Sequence, residues 1–165
     1  MNSTVLLVED DADDAFLFQN ALAKSAAEVT LRFARDGEEA EAYLSGAGDD
    51  EDRKRRPAPD LILLDLKLPR LSGLEFLERR SWARGAGRIP VVVFTSSRET
   101  SDVESAYALG ASRYLVKPSD FRGLIEAVRA INVYLGAIRR DPGISIEQNG
   151  VPWPTGALQK PPPKA

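Results

Sequence analysis

The stretch Leu61-Ile62-Leu63-Leu64-Asp65-Leu66-Lys67-Leu68-Pro69 sets four consecutive aliphatic residues directly before a carboxylate. Such a run is too short for a helix and shows no polar alternation, so it reads as a strand buried on both faces of a parallel sheet. Three further runs have the same form: Val5-Leu6-Leu7-Val8, Val91-Val92-Val93-Phe94 and Tyr114-Leu115-Val116. A fifth, Val29-Thr30-Leu31-Arg32-Phe33, does alternate, with Val29, Leu31 and Phe33 on one face, as an edge strand should.

Between these runs lie amphipathic stretches at helical spacing. Ala15, Phe18 and Leu22 share one face, as do Ala40, Tyr43 and Leu44, then Leu74 and Leu77, then Val103, Ala106 and Tyr107. Phe121, Leu124, Ile125, Val128, Ile131 and Leu135 line the last and longest. Ser101 with Glu104 predicts a capping box at the start of the fourth helix, and Gly110 its end. Strand and helix thus alternate five times, the pattern of a doubly wound α/β fold with a five-stranded parallel sheet covered on both faces. Ligands of such sheets collect beyond the carboxyl ends of the strands. Residues 1–140 form the predicted domain, with a charged loop insertion at 45–59; residues 141–165, rich in Gly and Pro, read as a flexible tail.

Composition narrows the chemistry. The 165 residues include neither Cys nor His, which removes disulfides, thiolate zinc sites, Ser-His or Cys-His catalysis and any phosphohistidine relay within the chain. A net charge of −3 speaks against a nucleic-acid partner. The basic run Arg53-Lys54-Arg55-Arg56 directly follows Asp49-Asp50-Glu51-Asp52, and the two predict a mutually neutralised solvated loop. No apolar run approaches the roughly 20 residues that span a bilayer, and the amino terminus has no signal-peptide pattern, so the expectation is a soluble cytoplasmic protein with no membrane partner.

The strand ends carry complementary groups: Glu9-Asp10-Asp11 after the first strand, Asp65 after the third, Thr95-Ser96 after the fourth and Lys117-Pro118 after the fifth. Crowded carboxylates repel one another unless a cation sits among them, and an all-oxygen set suits Mg²⁺ rather than zinc. With the cation in place, Asp65 can attack phosphorus to give an aspartyl phosphate, Lys117 supplies a point charge and Thr95 a hydroxyl donor. Each residue also has a plainer reading. Glu9, Asp10, Asp11, Asp13 and Asp14 surround a helix amino terminus, where acids favour the dipole, and Asp11, Asp13 and Asp14 are assigned to that role. The run lacks the Gly and the distal Glu of a calcium loop.

Taken together, Val8-Glu9-Asp10-Asp11, Leu64-Asp65-Leu66-Lys67-Leu68-Pro69 with Gly73, Phe94-Thr95-Ser96 and Tyr114-Leu115-Val116-Lys117-Pro118 resemble the receiver domains of two-component response regulators, over residues 4 to about 136. The resemblance implies a flavodoxin-like strand order 2-1-3-4-5 and phosphoryl transfer from a histidine kinase to Asp65. It implies that Asp10 and Asp65 bind Mg²⁺ directly, that Glu9 acts through water, and that Lys67 adds its backbone carbonyl. Thr95 would contact the phosphoryl group, Tyr114 would be an aromatic switch, and Lys117 would pair with the phosphate, aimed by a cis Lys117-Pro118 bond. Lys67 is a departure, since this side chain helps set water access in receivers; we expect it to change phosphoryl lifetime by pairing with a nearby acid or with the phosphate. The protein itself would catalyse at most its own phosphorylation and dephosphorylation.

A haloacid-dehalogenase-type phosphohydrolase also uses a strand-end Asp with Mg²⁺, but needs a second Asp where Lys67 stands. The other alternative is a receiver-like module that works by binding alone, without phosphorylation. The residues after about 140 are too few and too Pro-rich for an effector domain, so output is expected through a partner or self-association. The long loop before the third strand, the Pro59-Asp60-Leu61-Ile62-Leu63-Leu64-Asp65-Leu66 run, the Arg88-Ile89-Pro90 entry to the fourth strand and the extended last helix resemble the small stand-alone regulators paired with bacterial phytochromes. The kinase would then carry the bilin and dock near the first helix and the loop after the fifth strand. Tyr134 and Ile138 widen the apolar surface of the last helix, which predicts a homodimer through that helix and the last strand.

Overall fold

The computed structural model describes residues 2–46, 50–82, 89–142 and 150–163. Strand β1 (Ser3–Val8) leads to helix α1 (Ala12–Lys24), β2 (Val29–Ala34), α2 (Gly37–Ser45), the short α3 (Asp50–Arg55) and β3 (Leu61–Leu64). Then follow α4 (Gly73–Trp82), β4 (Val91–Thr95), α5 (Thr100–Ala108), β5 (Arg113–Val116), α6 (Phe121–Arg140) and β6 (Leu158–Gln159). The sheet order is β2-β1-β3-β4-β5-β6, with every pair from β2 to β5 parallel, as the alternation predicts.

The uninterrupted apolar strands bury both faces, and period two divides them between two cores. Leu6, Val8, Ile62, Leu64, Val91, Val93, Tyr114 and Val116 face Ala40, Phe76, Leu77, Val103 and Ala106 of α2, α4 and α5. Val5, Leu7, Leu61, Leu63, Val92, Phe94 and Leu115 face Phe18, Ala21 and Leu22 of α1 and Val128, Ile131, Tyr134 and Leu135 of α6. At the β2 edge that second cover runs out. Val29 and Leu31 still pack on it, whereas Phe33 is 47% exposed.

Four expectations need correction. The sheet has six strands, not five, because residues 150–163 return to it instead of forming a free tail. β6 runs antiparallel to β5, pairing Leu158 with Leu115 and Gln159 with Tyr114, and Val116 N donates to Ala157 O at 2.8 Å. The Trp153 ring lies 5.6 Å from that of Tyr134, and Gly156, at φ +81°, turns the chain into the strand. The cause is the unpaired β5 edge, a row of backbone donors and acceptors beside an apolar helix face. Gln148 and Lys164 lie outside the described residues, as do Asp49 and Arg88.

Second, the 45–59 insertion is not all loop. After Gly46, which ends α2 at φ +57°, residues 50–55 form the short α3, in which Arg55 pairs with Glu51 at 3.4 Å one turn away. Third, Ser101 and Glu104 form no capping box, because α5 starts at Thr100 and its cap residue, Glu99, makes no side-chain cap bond. The capping box that does form is Ser72 with Glu75 at α4, where Glu75 N donates to Ser72 Oγ at 3.2 Å and Ser72 N to Glu75 Oε2 at 2.8 Å. Fourth, the Lys117-Pro118 bond is trans. Lys117 reaches its partners from a trans peptide, the form that X-Pro bonds ordinarily prefer.

Candidate functional site

β1, β3, β4 and β5 lie side by side, so their carboxyl ends bring Glu9, Asp65, Thr95 and Lys117 to one point. Asp65 follows directly on β3, its N–H bonded to Val8 O at 3.0 Å, and it remains 94% buried, with 6% relative exposure. Its two carboxylate oxygens have separate partners. Thr95 Oγ1 donates to Oδ1 at 2.7 Å, and Lys117 Nζ donates to Oδ2 at 3.1 Å. Thr95 is fully buried, and its carbonyl accepts the Lys117 N–H at 2.8 Å, which fixes the backbone from which the lysine side chain springs.

Lys117 Nζ also contacts Glu9 Oε2 at 2.5 Å and Asp14 Oδ2 at 2.9 Å. Burial by itself lowers the lysine pKa, but the Glu9 hydrogen bond and the charges of Asp65 and Asp14 outweigh it and hold the ammonium protonated well above its ordinary range. Burial pushes Glu9 up to about 7 against the pull of Lys117, with the Asp65 charge adding to the rise. One ammonium thus stands among three carboxylates.

Glu9, Asp10 and Asp65 each offer an oxygen to one place, all within 4.8 Å of one another, with Asp10 exposed at the mouth. The donor set is hard, anionic and all oxygen, which fits a divalent cation such as Mg²⁺ or Mn²⁺. The loop that follows Asp65 is folded back on itself. Gly73 N donates to Leu66 O at 3.0 Å, and a Cβ on Gly73 would lie 2.3 Å from Asp65 O. Only glycine allows that approach.

Residues 5–129 match the response regulator receiver domain family. The chain belongs to that family. It is 38% identical over 130 residues to the response regulator Rcp1 of Synechocystis sp., covering 79% of this chain and 86% of Rcp1. The crystal structure of Mn²⁺-bound Rcp1 superposes with a TM-score of 0.70 over 80% of this chain and 93% of that one. The phosphorylated cyanobacterial phytochrome response regulator RcpA gives a TM-score of 0.74 at 35% identity, over 83% of this chain and 96% of its own. The bacteriophytochrome response regulator AtBRR gives 0.62 at 40% identity, over 74% and 86%. Receiver domains accept a phosphoryl group on an aspartate and bind a divalent metal at an acidic pocket.

Within this receiver fold the residues picked out by sequence gather closely. Glu9, Asp10, Asp65, Thr95 and Lys117 form the pocket; Lys67 lies on its rim, its N–H 3.4 Å from Asp65 Oδ1 and its side chain exposed. Among the described residues no carboxylate pairs with Lys67. Tyr114 is fully buried and turned inward, its hydroxyl donating to Ser97 O at 3.0 Å, two residues beyond Thr95. Burial raises its pKa, which keeps that hydroxyl a donor.

Asp11 caps α1 as expected, accepting from Asp13 N at 2.9 Å and Asp14 N at 3.1 Å. Asp14 lies in the first turn of α1, as the dipole reading expects, and its side chain also turns to Lys117. Its place in sequence gives no sign of this, since the partner is 103 positions away. Sequence reading also missed Asp36 and Arg70. Asp36 is 2% exposed, and the Glu39 amide and Arg70 guanidinium hold its carboxyl below the usual range. A lone Asp before Gly reads as a turn, and nothing local links it to Arg70.

Proposed function

We propose that Asp65 is the phospho-acceptor of this receiver, in a Mg²⁺-dependent transfer from a histidine kinase, as part of red-light signalling by a bacterial phytochrome. The observation that carries the reading is the division of labour at Asp65, with Oδ1 on Thr95, Oδ2 on Lys117, and Glu9 and Asp10 alongside. Oδ of Asp65 attacks phosphorus, the new P–O bond forms as the P–N bond to the kinase imidazole breaks, and the imidazole leaves with the electron pair. Asp10, Asp65 and the Lys67 carbonyl would hold Mg²⁺, with Glu9 acting through water, and the ion would supply positive charge against the phosphoryl oxygens. Lys117 pairs with the new phosphoryl group, and the Thr95 hydroxyl turns from Asp65 to it. That movement frees the Thr95-to-Ser97 segment on which Tyr114 rests, so phosphorylation biases an existing equilibrium. The protein would catalyse at most its own phosphorylation and dephosphorylation.

The kinase surface is α1 with the loop after β5. Phe16 is 62% and Leu17 44% exposed, and a cleft of about 120 Å³ beside Lys117 is lined by Leu17, Phe18, Pro118, Phe121 and Leu124. An apolar surface beside the acceptor suits a helical partner that must bring a histidine to Asp65. The phytochrome pairing is supported by RcpA and AtBRR, which are phytochrome response regulators. Among the described residues no helix is long and apolar enough to cross a membrane. A histidine kinase partner would place the protein in the cytoplasm with the kinase domain. Association of two copies through α6 and β5 requires the β6 pairing to open; a monomeric mass in light scattering, with and without beryllofluoride, rules that dimer out. The exposed Lys67 side chain would change phosphoryl lifetime by pairing with a nearby acid or with the phosphoryl group, and an unchanged dephosphorylation rate in Lys67→Asn removes that role.

The test of the acceptor is intact mass after incubation with Mg²⁺ and acetyl phosphate. A single Mg²⁺-dependent phosphoryl adduct, lost in Asp65→Asn, is the expected result. Its absence from every sample leaves the binding-only module as the better reading.

A further inference from the structure

The nine residues from Asp65 to Gly73 carry the acceptor and the Lys67 carbonyl, and they are strapped to a neighbouring turn. Arg70 Nε donates to Asp36 Oδ2 at 3.0 Å, and Arg70 Nη2 makes a second, shorter bond to the same oxygen. Asp36 Oδ1 accepts from Glu39 N at 2.9 Å, so both oxygens of this buried carboxylate are used. One residue along on each side, Gly37 N donates to Leu71 O at 3.3 Å. A Cβ at Gly37 would stand 2.8 Å from the Leu71 side chain and 2.9 Å from its carbonyl, so the two turns are in direct contact.

Arg70 has an unfavourable backbone for this task. Its φ is +60°, in the left-handed region, which costs a non-glycine residue about 1 kcal/mol. Its side chain is 61% exposed and would be free in solvent but for the acid it reaches. Asp36, in turn, is a buried charge that needs a cation, because an isolated buried carboxylate is strongly disfavoured. The pair therefore locks the loop between Leu66 and Gly73 in one shape. That loop contains the Lys67 carbonyl.

We propose that Asp36 and Arg70 are positioning residues for the divalent-metal site, holding the loop that carries Asp65 and Lys67, whose carbonyl would then meet the ion alongside Asp10 and Asp65. This rests on the metal reading above. Neither side chain touches the ion. Their effect is on affinity, because a ligand that must first be ordered binds more weakly than one held in place.

The test is Mn²⁺ affinity, measured by titration calorimetry and by the EPR signal of free Mn²⁺, on wild type, Arg70→Gly, Asp36→Asn and Asp10→Asn. Arg70→Gly is the main variant, since glycine accepts φ +60° and removes the strap without straining the loop. It is expected to bind Mn²⁺ about tenfold more weakly, a typical loss when a supporting partner of a metal ligand is removed. At saturating metal its phosphorylation rate stays within about twofold of wild type, a split that general loosening of the acceptor would not give. In the metal-free protein, amide exchange quickens at Leu68 and Gly73, which are bonded to Leu66 O. Wild-type Mn²⁺ affinity in Arg70→Gly overturns the proposal. If wild type binds no Mn²⁺, or Asp10→Asn binds it as well as wild type does, the metal reading itself fails, and this inference with it.

Discussion

Two cations stand at the loop that Asp65 opens, and they differ in what they hold. Lys117 is 15% exposed, enters from the β5 side and touches three carboxylates. Arg70 is 61% exposed, stands on the β2 side and reaches Asp36, with Glu38 at 3.8 Å. A compact ammonium on a flexible stem can exchange partners when charge is added nearby, whereas a planar guanidinium bonded through two nitrogens is fixed in place. The first arrangement is built to move and the second to stay. The phosphoryl transfer proposed for Asp65 would need both, a counter-charge that can follow the phosphoryl group and a loop that does not.

The contrast is broken most sharply by Lys117→Ala. Removing one partner of a buried ion network leaves like charges facing each other, at a cost of about 3 kcal/mol, somewhat less here because the site is partly open. Since Mg²⁺ supplies the missing positive charge, most of that loss should return on adding it. Denaturant melts of Lys117→Ala with and without Mg²⁺ measure this, and Arg70→Gly should show no comparable rescue. Gly73→Ala probes the fixed side. Its Cβ would press on Asp65 O, so the loop must open, at about 1–3 kcal/mol of stability by chemical denaturation.

Acidity sharpens the movable side. The Glu9 pKa is raised from 4.5 to about 7, so its proton stabilises the metal-free fold fully below 4.5, and that contribution is lost as pH rises through 7. A divalent cation beside Glu9 would disfavour the same proton through its charge. Mn²⁺ affinity should therefore climb between pH 5 and 8, and Glu9→Gln should flatten the climb in a calorimetric titration. The smallest effect belongs to Asp14→Asn. Asp14 is 44% exposed on its side chain, and its pair with Lys117 is worth about 0.5 kcal/mol or less after solvent screening. Its signature is a faster phosphorylation rate, because Lys117 has one resting partner fewer to leave.

Sequence showed the movable side and hid the fixed one. Glu9, Asp65, Thr95 and Lys117 each follow an apolar run, and in a parallel sheet strand ends converge, so position along the chain translates directly into position in space. Asp36 and Arg70 are 34 residues apart, with a positive φ that Arg70 does not advertise. The β6 return was hidden differently. Gly150, Pro154 and Gly156 make residues 150–163 look like a linker, and two anchors, Trp153 and Leu158, are too few to give a period. What holds them is the unpaired β5 edge and the Tyr134 ring, both contributed by other parts of the chain. Asp14 shows the same limit at short range, since an acid in a first helical turn satisfies the dipole whichever way its side chain points.

The most direct measurement is intact mass of wild type and Asp65→Asn after exposure to acetyl phosphate, with Mg²⁺ or with EDTA. One phosphoryl adduct in wild type with Mg²⁺, and none in the other three samples, is the predicted result. An adduct of equal yield in Asp65→Asn, or one formed equally in EDTA, would contradict the assignment of Asp65 and its acidic neighbours as the acceptor site.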